Sequence, residues 1–418
     1  MNRMTLLASP SPRVTLVLGL LGGLLLPAAP ARADEFAQRK DLAGWVFSWG
    51  GYVHGSYSFV QQPDNYTLAG RNSGFQLQQA RIGANVQYKD VVAMRVSLEG
   101  ASEDRVDQSF PGGTFSARLR DAYLIWAPLR ALRVSFGQMV VPFDLDSMRS
   151  DAFLPFVSRS VAIEGVQPYE GRALRGLGVD RGIGLALSSG YVPIGARGST
   201  RYEVFVGNGN GQNQVLNDNN KPAVFGRIEF ALWGESGLPP DQIAPMRSVT
   251  DLPERPILSV GAGFQYNPRT SGNPPDLIDE TDLGGAFDVA FALKGIEVQG
   301  GLVYVHTNYD SVAAAAPREQ AGIWGHLRYT IPKLPFDLIP GYRISNLAPR
   351  MHLFDKAPNP QADQADADLA LLYHTVGVKA RPVRSLPIWV SAEYTFTQER
   401  GPYVLKNDRF AADVVGVF

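Results

Sequence analysis

The chain has 418 residues, with 39 basic side chains against 40 acidic ones and no cysteine. A charge so near zero excludes bulk electrostatic attraction to nucleic acid. Without cysteine, neither disulfides nor thiolate metal sites are available, so stability has to come from backbone pairing and packing.

The first 33 residues carry Arg3 and Arg13, then the apolar run "VTLVLGLLGGLLLPAA", then "ARA" ahead of "DEF". Ala31 and Ala33 hold the small-residue positions of a cleavage site, the pattern of a secretory signal peptide. Pro27, Pro30 and the shortness of the run argue against an anchor helix. The mature chain is expected to span 34–418, outside the cytoplasm. Without Arg3, Arg13 and Arg32 it holds 36 basic residues against 40 acidic ones. No later run of about 18 apolar residues follows, so no transmembrane helix is predicted.

From residue 45 the hydrophobic period becomes two. In "WVFSWGGYVHGSYSFV", Trp45, Phe47, Trp49, Val53, Tyr57 and Phe59 share one face, and Ser48, Tyr52, His54, Ser56 and Ser58 the other. That alternation predicts a strand with unlike faces. Next, Ala80, Ile82, Ala84 and Val86 oppose Arg81, Asn85 and Gln87; then Val92, Met94, Val96 and Leu98 oppose Arg95, Ser97 and Glu99. Sixteen such segments begin near 45, 75, 91, 116, 132, 182, 201, 223, 257, 283, 296, 321, 336, 369, 387 and 409. The last, "RFAADVVGVF", sets Phe410, Ala412, Val414, Gly416 and Phe418 against Arg409 and Asp413.

Tight connections ("KD" at 89–90, "KG" at 294–295, "PKLP" at 332–335) take turns with long polar ones at 60–73, 102–115, 137–181, 207–222, 267–281, 306–319, 345–368 and 398–408. On the short side only 188–200 and 233–256 are longer than this rule wants. Such parity is expected if all short turns lie at one end of a closed barrel. A soluble β-sandwich would bury the same apolar faces against each other and gives no reason for the parity. The prediction is an all-β transmembrane antiparallel barrel of sixteen strands, each of about ten residues, apolar outward and polar inward. Trp45, Tyr57, Tyr88, Trp126, Tyr266, Tyr329 and Tyr394 are expected in the interfacial girdles. The last strand closes on the first with Phe418 facing lipid.

The stretch "RVSFGQMVVPFDLDSMRSDAFLPFVSRSVA", followed by "GRALRGLGVDRGIGLALSS", "RYEVFVGNGNGQN" and "VFGRIEF", resembles the phosphate-selective porin family, porins O and P. The matching elements are Gly137-Gln138 with Pro142-Phe143, Arg159-Ser160, Asp180 to Gly184, Asn208 to Gly211, Arg227, and "LRDAY" at 119–123. This resemblance implies a trimeric outer-membrane porin whose third extracellular loop, here 137–181, folds inward and narrows the channel. The residues agree on one point. A connection of that length is too long to be idle, and Phe143, Phe153, Leu154, Phe156 and Val157 need a surface to pack on.

No lysine occurs between Lys89 and Lys221, yet 118–181 holds nine arginines against seven carboxylates. Arginine presents a planar fork to oxyanions and stays charged at any relevant pH. Arg159, Arg172, Arg175 and Arg181 are expected to line or brace the loop constriction. By strand phase Arg133 and Arg227 point inward, and with Arg118 and Arg120 complete the candidate ion pathway. Small anions such as phosphate or chloride are the expected solutes, with lipid outside, no cofactor and no metal. The family's phosphate-preferring members also use lysines, and this loop has none.

Three other readings stay open. Interdigitated arginines and carboxylates that only stiffen the wall would make a general or cation-tolerant porin. His54 and Ser56, two apart on one face, would suit an outer-membrane hydrolase. A sealed structural barrel is the third. The aspartates 363, 366 and 368 lack the spacing and glycine of a calcium loop. Neither "GNGNGQNQ" nor the five histidines carries a phosphate or zinc pattern.

Overall fold

The computed structural model describes residues 38–61, 73–89, 91–103, 114–129, 131–166, 174–195, 198–209, 211–214, 216–233, 252–271, 277–309, 317–351, 370–399 and 408–418. The signal segment, Arg130, Arg172 and the aspartates 363, 366 and 368 lie outside them. Alternating sequence becomes alternating faces in sixteen strands: β1 Trp45–Val60, β2 Gly74–Tyr88, β3 Val92–Glu103, β4 Thr114–Leu129, β5 Leu132–Val140, β6 Arg181–Ser188, β7 Gly198–Gly207 and β8 Ala223–Trp233. The second half is β9 Ile257–Ser271, β10 Ile278–Leu293, β11 Ile296–Tyr309, β12 Arg318–Tyr329, β13 Asp337–Met351, β14 Leu371–Arg381, β15 Ile388–Glu399 and β16 Arg409–Val417. Each pairs antiparallel with the next, and β16 returns to β1 from Tyr52↔Val417 to Val60↔Arg409. Closure pairs the last strand with the first, the condition for crossing a membrane as strands.

The strands run from 8 to 16 residues rather than about ten. Pairing continues past the apolar belt, where alternation fades but the ladder does not. The connection expected at 267–281 shrinks for this reason to 272–277, because β9 and β10 stay paired from Asn267↔Asp282 to Ser271↔Ile278. Likewise 137–181 shrinks to 141–180: Gly137 to Val140 end β5 and Arg181 opens β6. At the short end, Lys294 (φ 47°) and Gly295 (φ 92°) form a two-residue turn of the primed kind, whose twist matches the flanking strands.

Phe418 exchanges both backbone hydrogen bonds with Gly51, at 2.9 and 3.0 Å. Beyond that point β1 has a free edge, and the short strand Gln38–Leu42 turns back to cover it from Trp49 to Trp45. The outer surface is predominantly apolar. Ile82, Leu98, Leu124, Phe136, Leu327 and Val414 are exposed there, as are the expected girdle residues Trp45, Trp126, Tyr329 and Tyr394. The inner surface carries the buried charges, among them Arg81, Arg95, Glu99, Arg227, Glu229, Asp288, Arg328 and Arg343. Polar inside and apolar outside is the inverse of a water-soluble fold.

Segment 141–180 holds a single-turn helix, α1 Val161–Glu164, and a small hairpin pairing Gly165–Val166 with Leu174–Arg175. Its apolar side chains sit against inner-face residues of the wall. Phe153 and Ala152 pack with Tyr52 of β1, Ile339 of β13, Trp389 of β15 and Val415 of β16. Leu145, Val161 and Ile163 pack with Val303, Trp324 and Leu347. Phe156 is buried under Arg343, whose guanidinium carbon lies 4.7 Å from the ring centroid. Burying such a ring contributes about 2–3 kcal/mol.

Glycines open the wall at these contacts. A Cβ on Gly263 would lie 2.1 Å from the Phe143 carbonyl oxygen, one on Gly322 2.8 Å from Ala162, and one on Gly377 3.0 Å from Phe156.

Candidate functional site

The wall β2–β6 concentrates positive charge. Its described inner-face side chains include Arg81, Arg95, Arg118, Arg120, Arg133 and Arg181 against two carboxylates, Glu99 and Asp121. Register explains part of this density. A bulge in β4 sets Ser97 opposite Asp121 and Glu99 opposite Arg118, with Arg120 as the extra residue. Strict alternation would turn Asp121 outward; the bulge re-aims it, and Asp121 and Arg120 are both buried. No bulge residue was readable from the sequence, which is why Asp121 was missed.

Around this bulge the charges interlock. Arg81 hydrogen-bonds Glu99, with Arg120 Nε 3.4 Å and Arg118 Nη2 3.6 Å from the same carboxylate. Arg181 donates to Asp121 at 2.8 Å and to Asp180 at 2.9 Å. Arg120 donates to Asp180 at 2.7 Å and to Gln212 at 2.8 Å. Segment 141–180 adds Asp151, whose Oδ1 accepts from Arg159 at 2.7 Å and whose Oδ2 accepts from Gln79 at 2.9 Å. Burial alone would raise the Asp151 pKa, but Arg159, Arg120 and Arg81 outweigh it and hold the carboxyl well below the usual range.

The eight arginines expected in the pathway fall into two groups, apart from Arg172. Arg120, Arg159, Arg181 and Arg227 are engaged. Arg227 donates to both oxygens of Asp288 at 2.6 and 2.7 Å and to the Phe143 carbonyl at 3.2 Å. Arg159 donates to the carbonyls of Asp146 and Arg149 as well as to Asp151. Arg118, Arg133 and Arg175 keep access to water. Arg118 is 30% exposed at its side chain; Arg133 is half-buried and Arg175 exposed, both without a polar partner among the described residues. Arg175 borders a cavity of about 320 Å³ together with Asp180, Arg181, Asp218 and Arg269. Arg181 belongs to the wall rather than to the loop.

Opposite, the segment is fastened to β13–β16. Lys379 Nζ donates to the Leu154 carbonyl at 2.8 Å, Arg343 to that of Ser158 at 2.5 Å, and the Val157 N–H to Glu393 at 2.9 Å. Lys379 was not anticipated, since one buried lysine in an alternating strand carries no sequence signal. His54 Nε2 lies 2.9 Å from Asp413 Oδ2, and among the described residues no hydrogen bond joins His54 to Ser56.

Asp144 is buried beside Phe143. It accepts the N–H groups of Asp146 and Ser147, each at 2.9 Å, and the Ser147 hydroxyl. Burial, with Asp146 and Asp288 nearby, pushes its pKa up to about 6. The folded state therefore binds the proton more tightly than the unfolded chain, and stability falls as pH rises from about 4 to about 6. Asp144→Asn is expected to flatten that part of a thermal-unfolding pH profile. An unchanged slope would assign it to another group.

A closed sixteen-strand barrel with an apolar exterior and a charged interior is the architecture of an outer-membrane porin. Residues 47–231 match the model of the phosphate-selective porin O and P family. No curated protein matches the chain. Among solved structures, the outer-membrane channel DcaP of Acinetobacter baumannii aligns with TM-score 0.55 and 17% identity over 91% of this chain and 99% of that one. OmpF of Salmonella typhi, solved with daunomycin, gives 0.53 and 14% over 91% and 100%. OmpT of Vibrio cholerae in a trimer form gives 0.52 and 12% over 90% and 100%.

Proposed function

We propose that the protein conducts small hydrophilic solutes by passive diffusion, prefers anions such as chloride or phosphate, and catalyses no reaction. The observation that carries this reading is the surplus of arginine on β2–β6, six against two carboxylates among the described side chains. Such a surplus on a low-dielectric wall draws anions and repels cations. Segment 141–180 acts as the constriction. Its contacts with β1, β9 and β12–β16 support that role, as do the glycines that make room for it. Arg118, Arg133 and Arg175 meet the permeating ion, while Arg159, Arg181 and Arg227 hold the constriction in shape. Cleavage after Ala33 releases the mature chain, which assembles as a homotrimer. The trimer form of the Vibrio OmpT neighbour supports that assembly.

The test is the reversal potential of the purified protein in a lipid bilayer under a KCl gradient, with inorganic phosphate added as blocker. A chloride-selective reversal with phosphate block is expected. A reversal near zero or cation-selective, without block, would make the arginines partners of the wall carboxylates and the protein a general porin.

A further inference from the structure

Away from the contacts of segment 141–180 with β13–β16, the cavity of about 320 Å³ that Arg175 borders is walled by Asn267 and Arg269 of β9 and by Gly209 and Gly211 of the connection 208–222. A smaller cavity shares Arg175, Asn267 and Arg269 with it and adds Gln265, Asp282 and Arg318. Two groups here are left over by the fold. Asn267 and Gln265 are each 5% exposed, and the side-chain oxygen of each has no donor among the described residues. Buried acceptors are rarely left so. In a water-filled cavity they take donors from water, which a solute with donors of its own displaces. Gly209 (φ 84°) keeps one of them within reach: a Cβ there would lie 2.6 Å from Asn267 Oδ1 and cover it. Cations stand in the same place. Arg175 has no polar partner among the described residues, and Arg318 Nε is buried without an acceptor. Arg269 is spent on Glu280 at 2.8 Å and Asp282 at 3.1 Å.

Resting on the channel reading above, we propose that these adjoining cavities bind zwitterionic amino acids. The solute carboxylate pairs with Arg175 and Arg318, and its ammonium group donates to Asn267 Oδ1 and Gln265 Oε1. The lining decides against simpler ions. Arg175, Arg181, Arg269 and Arg318 are offset by Asp180, Asp218 and Asp282, so four guanidinium groups face three carboxylates and the cavities are nearly neutral. A multivalent oxyanion meets those three carboxylates and brings mainly acceptors to two oxygens that need donors. A bare cation offers nothing to Arg175. A solute that accepts at one end and donates at the other satisfies both sets of groups, and each bond it makes is charge-assisted.

The test uses two probes that differ only by the ammonium group, free glycine and acetate, added at pH 7 to bilayers in which the purified protein carries KCl current. Glycine is expected to reduce the current at a lower half-blocking concentration than acetate. In Asn267→Leu the half-blocking concentration of glycine is expected to rise about tenfold, the worth of one hydrogen bond to a charged group, while that of acetate stays where it was. Gln265→Met is expected to shift glycine in the same direction. Neither substitution breaks a hydrogen bond at the side-chain oxygen it removes. Wild-type heat-modifiable migration on gels identifies correctly folded protein, and Gln265→Met carries the test if Asn267→Leu does not insert. Glycine no more potent than acetate on the wild type, or unshifted in the folded variants, overturns the proposal and leaves the two amides as hydrated wall groups. Wild-type protein that passes no KCl current would instead overturn the channel reading itself.

Discussion

Excising Ser147–Arg159 is expected to raise single-channel conductance several-fold. The cut suits the chain because its flanks already touch: the Ser160 N–H and hydroxyl both donate to Asp146 Oδ2, at 3.3 and 3.0 Å. The deletion removes Phe153, Leu154, Phe156 and Val157 from the inner wall, together with their staples to Lys379, Arg343 and Glu393. The sixteen-strand ladder loses no rung, since β5 ends at Val140 and β6 begins at Arg181. Arg343, Lys379 and Glu393 would then face water, a tolerable outcome for ionised groups, and the space vacated would conduct. Unchanged conductance in a correctly folded deletion would mean that the segment does not lie in the ion path.

Neutralising Arg118, Arg133 and Arg175 together, each to glutamine, is expected to abolish the chloride preference and bring the reversal potential to zero or past it. These three have water access and few or no polar partners, so their charge acts on the channel rather than on a neighbouring carboxylate. Arg227→Gln is the informative contrast. It leaves Asp288 buried without its cation, and breaking a buried pair from one side costs about 3–5 kcal/mol. The expected result is a lower unfolding temperature with little change in selectivity. If the triple variant kept full chloride selectivity, the preference would have to arise from the engaged arginines.

Much of the wall was legible in the sequence. In β1, β3, β12 and β16 alternation fixed which side chain faces which solvent, because the side-chain period of a strand is two and one face of each strand is apolar. Closure on Phe418 followed from the same pattern. Strand ends were less legible: at Asn267 to Ser271 the alternation stops while the hydrogen-bond ladder continues. Asp121 shows the other limit, since one bulge reverses the phase and no residue type announces it.

By itself the sequence determined a sixteen-strand barrel with an apolar exterior, an arginine-rich interior and a long third connection, because each is a local property of period, composition or spacing. Only the tertiary structure decided what the arginines do. Arg159 and Arg175 are of one residue type and lie in one connection, yet Arg159 is held by Asp151 and two carbonyls while Arg175 stays open to water. That difference depends on where a connection of forty residues, 141–180, comes to rest on a wall assembled from strands hundreds of residues apart. Ion pairing is decided by distance, and distance between remote segments is not a property of any short stretch of sequence.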